Sequence, residues 1–450
     1  MARDLTRSKA VVARERDVYS AASKIPYFPL VVARGYGATI EDVDGNQYLD
    51  FLSSAASLNT GHAHPKIVAA VKAQAEKFLN YTVVYAYHQP AVDLAAKLVE
   101  LAPAPRPMKV SFGTSGSDAN DGAMKLMRRA TGRPKIMAML RSYHGSTYGA
   151  ATLSAVALNM TRGLGPMVPD VVHVPFADCY RCSYGQTYGR CRFECVAYID
   201  MLFNTAVPPD EVAGIILEPI QGDAGVIPPP VEFMRGLREI CSRHGILFAA
   251  EEVQTGFGRT GKWFAIEHWG IQPDVVVMGK ALGAGMPISA VVARQDLMDA
   301  WELPAHLFTN GGNAVCCAAA LANIAVIQEE HLVERSAALG EQIMARFRDM
   351  QERYELIGDV RGQGLMIGVD LVKDRVTKER ARDEAAKVCM RCYEQGLILS
   401  FFSNSVLRIA PPLVVSDAEV ESALNTIEDS IREVQEGRVP DEAIAEMKGW

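Results

Sequence analysis

The sequence predicts an α/β protein with a mostly parallel, doubly wound sheet in a large domain and a smaller α+β domain. Three observations carry this. From about Pro65 onward, short apolar runs alternate with helical stretches. Each run ends in a loop of glycine, proline or polar residues. Repeated βα order of this kind builds parallel sheets, whose sites lie at the C-terminal ends of the strands. Finally, 450 residues with 49% apolar and 22% charged side chains can bury a sizeable core.

In chain order, a mixed-charge helical opening runs through Ala21 and is broken by Pro26 and Pro29. Extended pieces follow at Leu30–Arg34 and Ala38–Asp42, with a turn at Asp44-Gly45-Asn46. Buried strands are expected at Lys109–Phe112, Lys135–Leu140, Gly214–Ile220, Gly245–Ala250, Asp274–Gly279 and Ile288–Ala293. A long helix is expected from Ala314 to about Glu330, then a strand at Leu365–Asp370 among helices rich in Glu, Arg and Lys. The expected division is an N-terminal segment 1–60 packing with the small domain, a large domain 61–330 and a small domain 331–450.

The formal charge of −7, from 46 Lys+Arg against 53 Asp+Glu, argues against nucleic acid as a partner. No apolar run approaches a membrane span, and nine cysteines are too few for a disulfide scaffold. A cytoplasmic enzyme is the expectation.

Four strand ends carry candidate chemistry. Gly113-Thr-Ser-Gly-Ser-Asp-Ala119 opens a helix whose apolar residues Ala119, Ala123, Leu126, Met127 and Ala130 share one face. Small residues and a helix start suit an anion, so Gly116 and Ser117 read as a phosphate seat; an ordinary capped start, with Ser117 as N-cap, reads the same residues without a ligand. Tyr143-His144-Gly145 places an aromatic that either stacks on a planar ligand or closes the core edge. Glu251-Glu252-Val253-Gln254 puts carboxylates just off a buried strand, where they cap a helix or serve a site. Gly256–Gly261 matches the dinucleotide glycine pattern formally, but neither a strand leads directly into it nor a clean helix out of it. Lys280 directly follows Asp274-Val-Val-Val-Met-Gly279. Among apolar residues and glycines it is either a nucleophilic amine of lowered basicity or a lysine whose head reaches solvent. A phosphate, a flat ring, a carboxylate for a ring nitrogen and a lysine for an aldehyde together describe pyridoxal phosphate.

From about Ile40 to Pro412 the chain resembles the class III, ω-amino-acid type, pyridoxal-phosphate aminotransferases of fold type I. The match is most specific in GILFAAEEVQTGFGRTGKWFAIEHWGIQPDVVVMGKALGAGMPISAVV, Gly245 to Val292. The resemblance implies that Lys280 is the Schiff-base lysine and that Gly116 and Ser117 bind the phosphate. It makes Tyr143 the ring-stacking aromatic beside His144, sets Val253 on the other ring face, and gives Gln254 the ring hydroxyl. Glu218 joins the cofactor shell. Thr309, in Phe308-Thr-Asn-Gly-Gly-Asn313, matches a threonine reaching the partner subunit's phosphate, which implies a homodimer with shared active sites, or a tetramer built from it. Arg408, in Leu407-Arg-Ile-Ala-Pro-Pro412, matches an arginine gripping a substrate carboxylate. One departure stands out: Glu251 occupies the place of the family's aspartate, which pairs with the pyridine nitrogen. The same charge on a longer arm requires the ring or strand to shift.

The implied reaction is transfer of an amino group between an amino acid or amine and a 2-oxo acid, the chemistry that dominates the family. A branch of the family racemises or epimerises amino acids, and four features lean toward it: Gly116-Ser-Asp-Ala-Asn120, Cys179-Tyr-Arg-Cys182, the closing Gly449-Trp450, and Asp223 in Glu218-Pro-Ile-Gln-Gly-Asp223. There Asp223 would be a second acid/base beside Lys280; otherwise it is a loop acid making a turn. Cys179-x2-Cys182-x8-Cys191-x3-Cys195 has spacing that four metal-binding thiolates could use. The bulky, basic residues between them favour reduced cysteines in a surface excursion, and no metal is expected. Cysteines 241, 316, 317, 389 and 392 read as core. His62 and His64 read as structural, with no carboxylate nearby in sequence.

Overall fold

The computed structural model describes residues 3–447, so the Gly449-Trp450 pair lies outside it. Two compact units are formed, one by residue 65 to residue 334 and the other by the segments up to His64 and from Arg335 onward.

The 65–334 unit is built on a seven-stranded sheet. Its strands are β1 (Met108–Gly113), β2 (Lys135–Met139), β3 (Val171–Val174), β4 (Val212–Leu217), β5 (Leu247–Glu251), β6 (Val275–Met278) and β7 (Ser289–Arg294). The spatial order is β1-β7-β6-β5-β4-β2-β3. Every pairing is parallel except those of β7, which runs antiparallel to both β1 and β6. Every residue of β4, β5 and β6 is buried, which is why they read as unbroken apolar runs. The same double burial hides direction, so the reversal of β7 left no mark in its composition. The edge strand β3, only four residues long and half-buried, gave no recognisable pattern.

The helix Gly116–Thr131 lays Ala119, Ala123, Leu126 and Met127 into the core and ends on Gly132 in the left-handed conformation. Each fully buried leucine of this kind contributes about 1.5–3 kcal/mol. Its N-cap is Ser115, not Ser117: Ser115 Oγ accepts the Asp118 N–H at 3.3 Å, and Asp118 accepts the Ser115 N–H at 3.1 Å. That reciprocal box releases Ser117 from capping. The helix Ala314–Glu329 is capped by Asn313 and buries Cys316 and Cys317.

In the other unit, Thr39–Asp42 and Gln47–Asp50 form a hairpin extended by Val32–Tyr36 on one side and by Leu397–Ile398 on the other. The last pairing is parallel, Leu49 against Leu397, and joins the two ends of the chain. Tyr393 is sandwiched there between Tyr48 at 5.2 Å and Phe28 at 4.7 Å. A second, antiparallel sheet contains Ile357–Gln363, Met366–Asp374, Val406–Ile409 and Ser400–Phe402. His62 does have a carboxylate neighbour: its Nε2 lies 2.8 Å from Asp50 Oδ2. The hairpin brings that acid across the fold from twelve residues upstream. Cys241, Cys316, Cys317, Cys389 and Cys392 are buried. Among the described residues no single helix is long and apolar enough to cross a membrane.

Candidate active site

The ends of five strands of the 65–334 unit converge on one cleft. After β1, Asp118 pins the turn by accepting the Thr114 N–H at 2.9 Å and the Ser289 hydroxyl at 2.8 Å. The helix therefore begins at Gly116, whose missing side chain matters: a Cβ there would lie 2.8 Å from Val253 Cγ1. Val253 is also hemmed in by Gly279, where a Cβ would stand 3.3 Å from it. Ser117 Oγ accepts the Ser146 N–H at 3.1 Å, and a side chain at Gly145 would strike Ser117.

After β2, the Tyr143 N–H donates to Glu218 Oε1 at 3.0 Å. The His144 N–H donates to Ser154 Oγ at 2.8 Å, and the His144 carbonyl accepts from Asn120 Nδ2 at 2.7 Å. After β4, Glu218 Oε2 accepts the Gly222 N–H at 2.8 Å, curling the loop that carries Asp223. Glu251 ends β5 with its carboxylate folded back: Oε1 accepts the Val253 N–H at 2.7 Å and Oε2 lies 3.1 Å from His144 Nδ1. The His144 ring is wholly buried, and its Nε2 has no hydrogen-bond partner. Glu252 points elsewhere, accepting the N–H groups of Ala265 and Ile266 at 2.9 and 2.8 Å and the Thr255 hydroxyl. It caps a turn. Lys280 follows β6 with a left-handed φ of 42°, a strained conformation of the kind that collects at functional sites.

Burial, reinforced by the neighbouring Glu251 charge, pushes the Glu218 carboxyl up to about 8. Burial also raises Glu252, to about 7. Removing these carboxylates from water disfavours their charged forms.

Gly116, Ser117, Tyr143, His144, Glu218, Asp223, Glu251, Val253, Gln254 and Lys280 all line this cleft, although 164 residues separate the first from the last in sequence. Asn120 lines it too. Its signal was helical spacing: three residues after Ser117, it occupies the same face. Thr309 does not line it; it is exposed, and its carbonyl accepts from Asn80 Nδ2 at 3.2 Å. Arg408 lies on the Val406–Ile409 strand of the other unit, 3% exposed, its guanidinium 3.4 Å from the Phe402 ring centroid. Cys179, Cys182, Cys191 and Cys195 line a separate cavity of about 30 Å³. Burial and the other thiols push Cys179 up to about 11. Among the described residues, no three His, Cys, Asp or Glu side chains are arranged to hold a metal ion.

Comparison with known proteins gives the cleft its context. The model of the family "Aminotransferase class-III" matches residues 19–431. A leucine/methionine racemase of Thermococcus litoralis is 47% identical over 99% of this chain and 100% of its own. An isoleucine 2-epimerase of Lentilactobacillus buchneri is 44% identical over 99% of each chain. Among solved structures, a Bacillus anthracis aminotransferase superposes with a TM-score of 0.86 at 29% identity, covering 96% of this chain and 99% of its own.

The cofactor of this family is pyridoxal phosphate, and the residues present suit it. The half-buried start of a 16-residue helix offers N–H groups to a phosphate, and glycines at 116 and 145 let Val253 and Ser117 pack close beside it. Val253 and Tyr143 can flank a flat ring, the Glu251–His144 pair supplies charge and an unused ring nitrogen, and Lys280 stands at a strand end within the same cleft. This chain belongs to the class III aminotransferase family, pyridoxal-phosphate enzymes of fold type I.

Proposed function

We propose that the protein is an amino-acid racemase or epimerase that uses Lys280 and Asp223 as its two acid/base groups. The observation that carries this reading is the presence of both side chains in one cleft. Two relatives matching almost the whole chain are named for inversion of leucine, methionine or isoleucine, which supports an apolar α-amino acid as substrate.

When bound, pyridoxal phosphate supplies an aldehyde for the substrate nitrogen and an electron sink for the carbanion at Cα. The chain supplies everything else. Gly116 and Ser117 would hold the phosphate, Tyr143 and Val253 would flank the ring, and Gln254 would bond its hydroxyl. Glu251, steadied by His144 and the Val253 N–H, provides the negative charge that keeps the ring nitrogen protonated. Lys280 removes the Cα proton from one face, and Asp223 delivers a proton to the other. Two bases are needed because one group cannot both take a proton from one face and return it to the opposite face. No oxo acid is consumed.

The cofactor shell is completed by a second copy of the chain. A groove of about 940 Å³ in the 65–334 unit, lined by Phe78, Tyr81, Tyr87 and Leu321, is apolar, and Tyr85 and Tyr87 are 83% and 95% exposed. An apolar surface of this kind is typical of a subunit contact. Exposed Thr309, joined to this surface through Asn80, reaches the partner's phosphate. A homodimer, cytoplasmic where its thiols stay reduced, is the assembly this reading carries.

Transamination is the alternative, favoured by the family description and by the aminotransferase structure that superposes on the chain. Incubation with one enantiomer of leucine or isoleucine in D2O, with no 2-oxo acid, separates the two. Inversion with deuterium at Cα is expected; new amino acid appearing only when a 2-oxo acid is added would establish transamination instead.

A further inference from the structure

Arg141 stands two residues before Tyr143 and links the loops after three neighbouring strands. Its backbone is left-handed, φ 66°, which a non-glycine residue adopts only when its surroundings compensate. The backbone is held by an Arg141 N–H to Ala155 carbonyl bond of 3.2 Å and by Ala155 donating to the Ser142 carbonyl at 2.9 Å. The guanidinium then divides. Nη1 donates to Asp178 Oδ2 at 2.6 Å, and Nη2 donates to the Ala224 carbonyl at 2.8 Å. Asp178 belongs to the loop after β3, and Ala224 to the loop after β4; these strands flank β2 on either side. Asp178, 8% exposed, is itself anchored, since its Oδ1 accepts the Arg181 N–H at 3.0 Å.

The Ala224 carbonyl is the group next along the chain from Asp223. On the other side of Asp223, Gly222 donates its N–H to Glu218 and lies against the Gln254 side chain, which a Cβ at 222 would displace. Asp223 is therefore a one-residue span between two clamps. The Glu218 clamp belongs to the cofactor cleft; the Arg141 clamp comes from outside it, because Arg141 does not line the cleft. A charge-assisted bond to a carbonyl whose donor is fixed by a second, half-buried ion pair is a geometric constraint more than a source of stability.

We propose that Arg141, braced by Asp178, is a positioning residue for Asp223. It sets the reach of that carboxylate toward the substrate Cα on the face opposite Lys280. This rests on the reading of Asp223 as the second acid/base. A shift of a catalytic group by an ångström costs up to about a hundredfold in rate. The loss therefore falls on the Asp223 face alone.

The test uses the cofactor-loaded enzyme in D2O without a 2-oxo acid, following inversion and Cα deuterium exchange for each enantiomer separately. In Arg141→Ala, inversion is expected to fall about tenfold to a hundredfold, while exchange in the enantiomer served by Lys280 stays within about threefold and the bound-cofactor spectrum is unchanged. Asp178→Asn, which keeps an acceptor but loses the charge, is expected to lie between wild type and Arg141→Ala, and supplies the measurement should the alanine variant not fold. Parallel loss of inversion and exchange in both enantiomers would show a merely structural role and overturn the proposal. Unchanged inversion in both variants would overturn it as well. Absence of inversion in the wild-type enzyme would instead overturn the two-base reading, and the proposal with it.

Discussion

The cleft at the strand ends and the groove along Phe78–Asp93 belong to the same unit, yet they are finished to different degrees. In the cleft, each oxygen of Glu218 and of Glu251 faces a partner, and glycines stand where any side chain would collide. The groove is larger, apolar and flanked by exposed tyrosines. The cleft is organised by the chain's own hydrogen bonds, whereas the groove presents apolar surface that the proposed dimer would cover. A polar site can be completed locally because directional bonds satisfy it; an apolar surface is satisfied only by removal from water.

This contrast can be broken at either end. Lys280→Ala removes the group on which both functional readings depend; inversion should fall by at least about a thousandfold, measured by chiral chromatography, with loss of the lysine-linked cofactor absorbance. The proposed dimer should persist in this variant, because Lys280 is not in the groove. The converse variant is Leu321→Arg. A charge in the groove should yield monomers by light scattering and reduce activity more than about tenfold, since an unpaired charge in a dry interface is costly. A dimer that persists would show that this face is not the contact.

Within the cleft, Glu251 lets charge and reach be tested separately. Glu251→Gln removes the charge but keeps the size, and should slow inversion by about ten- to a hundredfold with cofactor retained. Glu251→Asp keeps the charge but shortens the arm, so it can no longer span both the Val253 N–H and His144. A change of less than about tenfold is expected. A smaller effect concerns pH. Because the folded-state pKa of Glu218 is raised from 4.5 to about 8, the fold binds a proton that the unfolded chain releases first. The associated stability is fully present below the unfolded value and is lost as pH rises through the folded one. Melting temperature should therefore fall between about pH 5 and pH 9, and Glu218→Gln should flatten that slope by a few degrees. Glu252, raised to about 7, adds a slope of the same sign.

Much of the cleft was legible in the sequence because each of its residues follows a strand that reads plainly. Lys280, Glu251 and Gly116 lie within three residues of β6, β5 and β1, whose apolar runs are unmistakable. What escaped depends on distance across the fold. Ser117 reads both as a phosphate seat and as an N-cap, and the choice between Ser115 and Ser117 as the cap turns on Asp118 reaching back, a matter of dihedral angles. His62 looked isolated until the hairpin brought Asp50 to it. Arg141 gave no signal at all: its partners lie 37 and 83 positions further along the chain, on loops whose adjacency follows from strand order alone. The cysteine spacing was legible, but spacing does not reveal how thiols are oriented. Family chemistry put transamination first, whereas relatives spanning the whole chain are named for inversion at Cα.

If Lys280 and Asp223 serve opposite faces of one substrate carbon, as proposed, removing one must spare the face of the other. Asp223→Asn in D2O, followed for each enantiomer separately, tests it most directly. In this variant one enantiomer should still exchange its Cα proton, the other should exchange at least about a hundredfold more slowly, and inversion should be lost in both directions. Continued inversion at near wild-type rate, or equal loss of exchange in both enantiomers, would contradict it.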